Sequence, residues 1–233
     1  MRTIVFEIQG QIGHFRKPYA PVSPVTYPFP PPPTVMGIVG AICGYGKDEY
    51  AEKIGWDKVR IAVSLLSPVK KFRAGLNLVN TKGNKYFRLT GESPRTQIPY
   101  EFLKDPAYRI YLANANDVTM DRLCDMLKNN KTVYTPSLGL AQCLATVSFY
   151  GEMEARNGSP EGIEVSSVIP KEQTLGIHYE PGRRYTRFRI PEKMRPDRTV
   201  EKYGEVVVDE GANKITVETT RAFKVGESYV LFF

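Results

Sequence analysis

The sequence predicts an α+β fold: a ferredoxin-like core in strand-helix-strand-strand-helix-strand order, a long projecting β-hairpin, and a β-rich C-terminal appendage. Three observations predict it. Two stretches carry the apolar spacing of helices. Four stretches alternate as strands do and interleave with those helices in that order. Beyond Asn157-Gly-Ser-Pro160 the chain shows short strand-like runs and no helical period, so the core is placed at 1–156 and the β-rich part at 157–233. The 233 residues suffice for one large or two small domains.

The first strand, Thr3 to Ile8, ends in a basic loop, Gly13-His-Phe-Arg-Lys17. Eight of the 18 prolines then fall between Pro18 and Pro33. Each removes a backbone donor and fixes φ, so this segment is expected to cross the surface as a stiff extended strap with its aromatic and basic side chains in reach of a partner. The plainer reading is a docked connector with no ligand. The strap enters a helix from about Thr34 to Cys43, whose start is expected to offer unpaired N–H groups and positive potential to a phosphate backbone. Gly37, Gly40 and Gly44 leave one face of that helix bare, which permits close approach of a sheet or of a bound nucleotide.

A short amphipathic turn at Asp48 to Lys53 precedes a strand from Val59 to Leu66, with Val59, Ile61, Val63 and Leu65 on one face. Lys70 to Ile98 is basic and β-prone around a turn signal at Thr81-Lys-Gly-Asn84, which predicts the hairpin. Tyr108 to Leu112 is the third core strand. Asn116 and Asp117 are suited to cap a second helix reaching about Lys128, in which Met120, Leu123, Cys124 and Leu127 share a face and Asn129 ends the run. The fourth strand is expected near Gln142 to Tyr150, with Cys143, Ala145, Val147 and Phe149 on one side. The tail carries further strands at Arg184 to Ile190, Gly204 to Val208, Ile215 to Thr219 and Tyr229 to Phe233.

Thirty-two Lys and Arg against 25 Asp and Glu give a net charge of +7 and a pI near 9.2, which favours a polyanionic partner. Basic residues gather at Lys70, Lys71 and Arg73, at Lys82, Lys85 and Arg88, at Arg95, and at Arg183, Arg184, Arg187 and Arg189. Tyr86, Phe87, Tyr185 and Phe188 are interleaved with them. Cations beside aromatic faces suit single-stranded nucleic acid, because bases stack on rings while phosphates pair with charges. In an extended strand Arg183, Tyr185, Arg187 and Arg189 point the same way. Taken singly, each cluster also reads as a solvated strand face.

Several classes find no support. The longest apolar runs are too short to span a bilayer, and the N-terminus enters an alternating strand directly instead of a secretory signal. Cys43, Cys124 and Cys143 are odd in number, widely separated and set among apolar residues, as reduced core cysteines of a cytoplasmic protein are. There is no Walker-type phosphate loop, no His-Glu-x-x-His, no paired-cysteine metal spacing and no RNP-type octapeptide, so no cofactor or metal is expected. The carboxylate pairs Asp48 with Glu49 and Asp209 with Glu210 read as solvated charge.

Four segments point to a family: the opening strand with Gly10 and Phe15-Arg-Lys-Pro18; the Pro-rich run into Pro33-Thr-Val-Met-Gly-Ile-Val-Gly-Ala41; Thr96 to Leu112; and Tyr134-Thr-Pro-Ser-Leu-Gly139. In their order and spacing they resemble the fifth CRISPR-associated (Cas) protein family, nearest its archaeal and type I-B-like members. The resemblance covers most of Thr3 to Tyr150, and the C-terminal part adds little to it. It implies a core of the RAMP or RRM-like kind, a hairpin serving as a thumb, and a subunit of type I Cascade that binds the five-prime handle of guide RNA (crRNA). Its partners would be the Cascade backbone and large subunits. By position, Thr34, Met36 and Gly37, with Arg16, Lys17 and Tyr19 in the strap before them, would lie against the handle. Lys70, Lys71, Arg73, Lys82, Lys85, Arg88 and Arg95 would belong to the thumb. Arg183, Arg184 and Arg187 rest on charge and spacing alone.

One branch of that family processes precursor guide RNA with a tyrosine, a lysine and an adjacent histidine. Here the histidines are His14 and His178, and neither follows a lysine. Metal-independent cleavage needs an acid–base group near neutral pKa. His14 is the candidate, with Lys17 and Tyr19 or Tyr27 to assist. The expected function is a non-catalytic RNA-binding subunit, with a metal-independent endoribonuclease and a protein-interaction scaffold as alternatives.

Overall fold

The computed structural model describes residues 1–20, 23–79, 95–158, 162–195 and 197–233. In chain order the first half comprises β1 (Arg2–Gln9), β2 (Ile12–Gly13), β3 (Phe15–Arg16), β4 (Thr26–Tyr27), α1 (Pro32–Cys43), α2 (Tyr50–Ile54), β5 (Arg60–Leu65), β6 (Lys71–Val79), β7 (Arg95–Lys104), β8 (Ala107–Ala113), α3 (Asp117–Lys128) and β9 (Thr146–Asn157). The core strands lie side by side as β9-β1-β8-β5, every neighbouring pair antiparallel. In the numbering of the core alone this is 4-1-3-2, the split β-α-β arrangement that the element order implies.

Alternation assigns the two faces. Ile4, Phe6 and Ile8 of β1 point to one side, where Val35, Ile38, Val39 and Ile42 of α1 and Met120, Leu123 and Leu127 of α3 close the main core. Val5 points to the other, against Ala62, Tyr111, Ala113 and Phe232. Asn116 caps α3, its side-chain oxygen accepting from the Val118 N–H at 3.2 Å. Helix α1 is apolar on most of its circumference and accordingly buried along most of its length.

The hairpin arms pair in register from Lys71 opposite Leu103 to Val79 opposite Arg95. The expected turn at residues 81–84, with Lys82, Lys85 and Arg88, lies outside the described residues. At its base the hairpin gains a third strand, because β2 pairs with β7 through Ile12 opposite Lys104 and Gly13 opposite Leu103.

After the core come β10 (Ile163–Val165), β11 (Ile169–Pro170), β12 (Gly176–His178), β13 (Tyr185–Met194), β14 (Val200–Asp209), β15 (Ile215–Glu218), β16 (Phe223–Val225) and β17 (Ser228–Val230). The core sheet continues through β9 into β16, β17, β10, β15 and β12, giving nine strands. Strands β11, β14 and β13 form a separate sheet, whose Phe188, Ile190, Val206 and Val208 join the main core.

Three expectations need correction. The fourth strand begins at Thr146 and runs to Asn157, four residues late and seven past its expected end. Residues before it are held in a loop: Leu138 N–H donates to the Cys143 carbonyl at 2.8 Å and Ala145 N–H to the Pro136 carbonyl at 3.1 Å. Helix α1 starts at Pro32, since proline is accepted in a first turn. The strap is largely interior, with Tyr27, Phe29 and Pro30 to Pro33 buried. Prolines bring no donor to satisfy, so they can be buried cheaply, and Tyr108 supplies its hydroxyl to the Pro28 carbonyl at 2.8 Å. Its exposed part is the loop between β3 and β4, closed by Lys17 N–H to the Val25 carbonyl at 2.9 Å.

Candidate nucleic-acid interface

Pairing of Phe15 with Tyr27 and of Arg16 with Thr26 turns the chain back toward α1 and leaves Arg16 exposed on the outside. The loop before β9 is pinned alongside, with His14 N–H donating to the Leu138 carbonyl at 2.9 Å. Gly139, at φ +95°, is required there, because a Cβ would meet the His14 carbonyl. Between β3, the exposed side of α1, this loop and the turn joining β13 to β14 lies a basin of about 480 Å³. Arg16, Thr34, Gly37, Thr135, Ser137 and Arg198 supply its polar and open lining. Among the described residues, no carboxylate lines it.

The three helix glycines separate here. A Cβ on Gly40 would press on the Tyr50 side chain at 3.0 Å, and one on Gly44 on Val133 at 2.8 Å, so both serve internal packing. A Cβ on Gly37 would meet nothing within 4 Å among the described residues. Gly37 therefore opens onto the basin, and the hydroxyls of Thr34, Thr135 and Ser137 make no hydrogen bond to any described residue.

The helix start does not offer the amide donors expected of it. Pro32 and Pro33 have no N–H, and those of Thr34 and Val35 both donate to the Pro31 carbonyl, at 2.9 and 3.1 Å. Met36 is 1% exposed and packs in the core on the opposite side of α1. At that end of the basin the helix start has no amide to offer an anion.

His14 is only 1% exposed, its ring tilted against Tyr100 and Phe102 at 5.2 and 5.8 Å. Its Nδ1–H donates to the Glu101 carbonyl at 2.7 Å, which fixes a neutral tautomer and leaves Nε2 without a partner among the described residues. Burial, the largest influence, pushes its pKa below the usual imidazole value despite the Glu101 bond. Lys17 is half-buried, its ammonium 4.6 Å from the Phe188 ring centroid and 5.5 Å from that of Tyr27, and desolvation followed by Lys71 lowers its pKa. Tyr27 donates its hydroxyl to the Arg189 carbonyl, and burial raises its pKa to about 12. Tyr19 is 67% exposed, and its ring is open to stacking.

On the hairpin, Lys70, Arg73 and Arg95 are exposed, and Lys71 lies 3.7 Å from Glu101. The C-terminal arginines are engaged within the fold. Arg183 pairs with Glu180 at 2.6 Å and precedes β13, so it is not in strand alternation with Arg187 and Arg189. Arg184 reaches the Glu210 carbonyl, and Arg187 pairs with Glu205. Sequence reasoning missed Thr135, Ser137 and Arg198. A Pro-Asp turn signal between two tail strands marked Arg198, while the first two sit in a motif read only for its resemblance.

Residues 3–209 match the sequence model of the CRISPR-associated protein (Cas_Cas5) family. The chain belongs to that family. All the basin's lining residues fall inside the matched span. No curated protein matches the chain in sequence. Among solved structures, this Cas_Cas5 protein is similar in fold to a CRISPR protein from Archaeoglobus fulgidus, with TM-score 0.57 and 15% identity over 99% of this chain and 98% of that one. It is also similar to a chain of a CRISPR RNA-guided surveillance complex, with TM-score 0.56 and 12% identity over 92% and 91%. A chain of a Type III-B Cmr-beta complex bound to cognate target RNA gives TM-score 0.51 and 9% identity over 93% and 86%.

Proposed function

We propose that the protein is a non-catalytic subunit of a CRISPR effector complex, and that its basin holds the backbone of the five-prime handle of guide RNA. The observation that carries this reading is the basin itself: a concavity without carboxylates, with cationic side chains at its edge and a bare helix face at Gly37. A phosphodiester can pass close over Gly37 where any side chain would hold it off. Arginine matches phosphate oxygens with a planar fork of donors, and the hydroxyls of Thr34, Thr135 and Ser137 can complete the contacts. Strand β2 joins this basin to the hairpin, so RNA leaving it would run onto the cationic arms at Lys71 and Arg73. Backbone and large subunits are the expected protein partners, with the hairpin folding over the guide beside a backbone subunit. Family membership and the likeness to a chain of an RNA-guided surveillance complex support an assembly of this kind.

The non-catalytic part of the reading rests on the histidines. His14 is buried, committed through Nδ1 and depressed in pKa, which removes it from attack chemistry at the surface. His178 lies on β12, an edge strand, beside Glu218 at 3.1 Å.

Gly37→Leu tests the site. Replacing a helical glycine raises helix propensity by about 0.5–1 kcal/mol, and the added side chain has open space. The variant is expected to melt at or above the wild-type temperature while binding a short single-stranded RNA carrying the repeat-derived handle about tenfold more weakly, a loss of about 1.4 kcal/mol. Wild-type affinity in the leucine variant would refute the site.

A further inference from the structure

We infer that Arg198, at the tip of the β13–β14 turn, is a phosphate-binding residue that closes the basin over single-stranded RNA together with Arg16. This rests on the reading of the basin as an RNA site and adds to it a ligand from the C-terminal sheet.

The turn is tight. Arg195 N–H donates to the Thr199 carbonyl at 2.8 Å, and Arg198 N–H donates to the Arg195 carbonyl at 2.8 Å. Asp197 is taken up within it, its carboxylate accepting from the Thr199 N–H at 2.9 Å. Arg198 itself stands at φ +70°. In hairpin loops of this length that left-handed position is where glycine or asparagine is favoured, and an arginine there opposes the backbone's preference. No fold contact explains the choice, because the Arg198 side chain makes no hydrogen bond, ion pair or ring contact with any described residue. What it does have is a place: Arg198 and Met194 line the basin from the C-terminal side, as Arg16 and Thr34 line it from the N-terminal side.

The helix start adds a second argument. With its early amides absent or spent on Pro31, the basin lacks backbone donors at that end. A phosphate there must be neutralised by side chains, and the arginines lining the basin are Arg16 and Arg198. Guanidinium groups from two separate elements would engage successive phosphates of one strand, which ties the C-terminal sheet to RNA binding.

The test uses the full chain and a single-stranded RNA bearing the handle of the host repeat, with affinity measured across a salt series and melting temperature measured alongside. Arg198→Gly removes the side chain and the unfavourable φ together. It is expected to leave the melting temperature unchanged or raised, to weaken binding about tenfold, and to reduce the slope of log K against log salt by about 0.7, the value for one neutralised phosphate on a single strand. Arg198→Lys should recover part of the affinity. If Arg198→Gly binds like wild type while Gly37→Leu does not, the inference fails and the basin reading stands. If both variants bind like wild type, the basin reading fails and the inference with it. A marked drop in the melting temperature of Arg198→Gly would show the arginine to be structural and would also overturn the inference.

Discussion

Gly37 and Gly40 stand one turn apart on the same helix and face different neighbours. Tyr50 crosses over Gly40, and no described residue crosses over Gly37. The sequence shows the bare face but cannot show which part of it another element covers, so the nucleotide and packing readings stay equal until the fold separates them. His14 makes the same point from the other side. It sits in a loop that ends in Arg16 and Lys17, yet its environment is set by Glu101, 87 residues away, and by the rings of Tyr100 and Phe102. The burial has a thermodynamic signature. Because the folded state holds the His14 pKa below its unfolded value of about 6.5, the unfolded chain takes up the proton first as pH falls. Stability is therefore full above about pH 6.5 and declines below it until the folded pKa is reached. His14→Asn retains a donor for the Glu101 carbonyl and removes the titration. Melting curves taken from about pH 7.5 to about pH 5.5 should show a smaller loss for this variant than for wild type; an equal loss would mean that His14 titrates normally.

At the scale of elements, the hairpin was the most legible feature and the strap the least. The turn signal within the basic, β-prone stretch Lys70 to Ile98 anticipates two paired arms; the structure pairs Lys71 to Val79 with Arg95 to Leu103, and the second strand runs six residues past Ile98 to Lys104. The strap's prolines predict an extended path, yet the segment contributes β4 and the first turn of α1, and the inference from missing donors to a surface path was incomplete. The same missing donors make burial inexpensive once Tyr108 and the α1 amides serve the carbonyls. The fourth strand slipped because Cys143 and Ala145 satisfy strand alternation while their hydrogen bonds belong to the preceding loop. Charge clusters divide in a similar way. Arg187 is bonded to Glu205, whereas Arg73 and Arg95 are exposed on the hairpin. Charge reversal at Arg73, Lys82, Lys85 and Arg88 should therefore flatten the salt dependence of RNA binding, by about 0.7 in slope for each phosphate that the hairpin no longer neutralises. Arg187→Ala should leave that slope unchanged and cost at most about 1 kcal/mol of stability, as exposed pairs do. Equal effects from the two sets, read in one salt titration, would contradict the division.

Across the whole molecule, three of the four segments that carry the family resemblance meet in space. Phe15 and Arg16, then Pro33, Thr34, Gly37 and Ala41, then Thr135, Ser137 and Gly139 come from distant parts of the chain and line one basin, whereas Thr96 to Leu112 lines none of it. That is why the site was partly readable from motifs, while the place of Arg198 was not: a Pro-Asp signal marks its turn, but its position at the basin depends on a C-terminal sheet folding back onto α1. The central claim is that guide RNA lies in this basin. Handle RNA with a photoreactive uridine, crosslinked within the assembled complex and mapped by mass spectrometry, tests it most directly. Adducts are expected on peptides spanning Thr34 to Ala41 and Thr135 to Leu140, and they should disappear in Gly37→Leu while the complex still assembles. Adducts confined to other surfaces, and unchanged by Gly37→Leu, would contradict the claim.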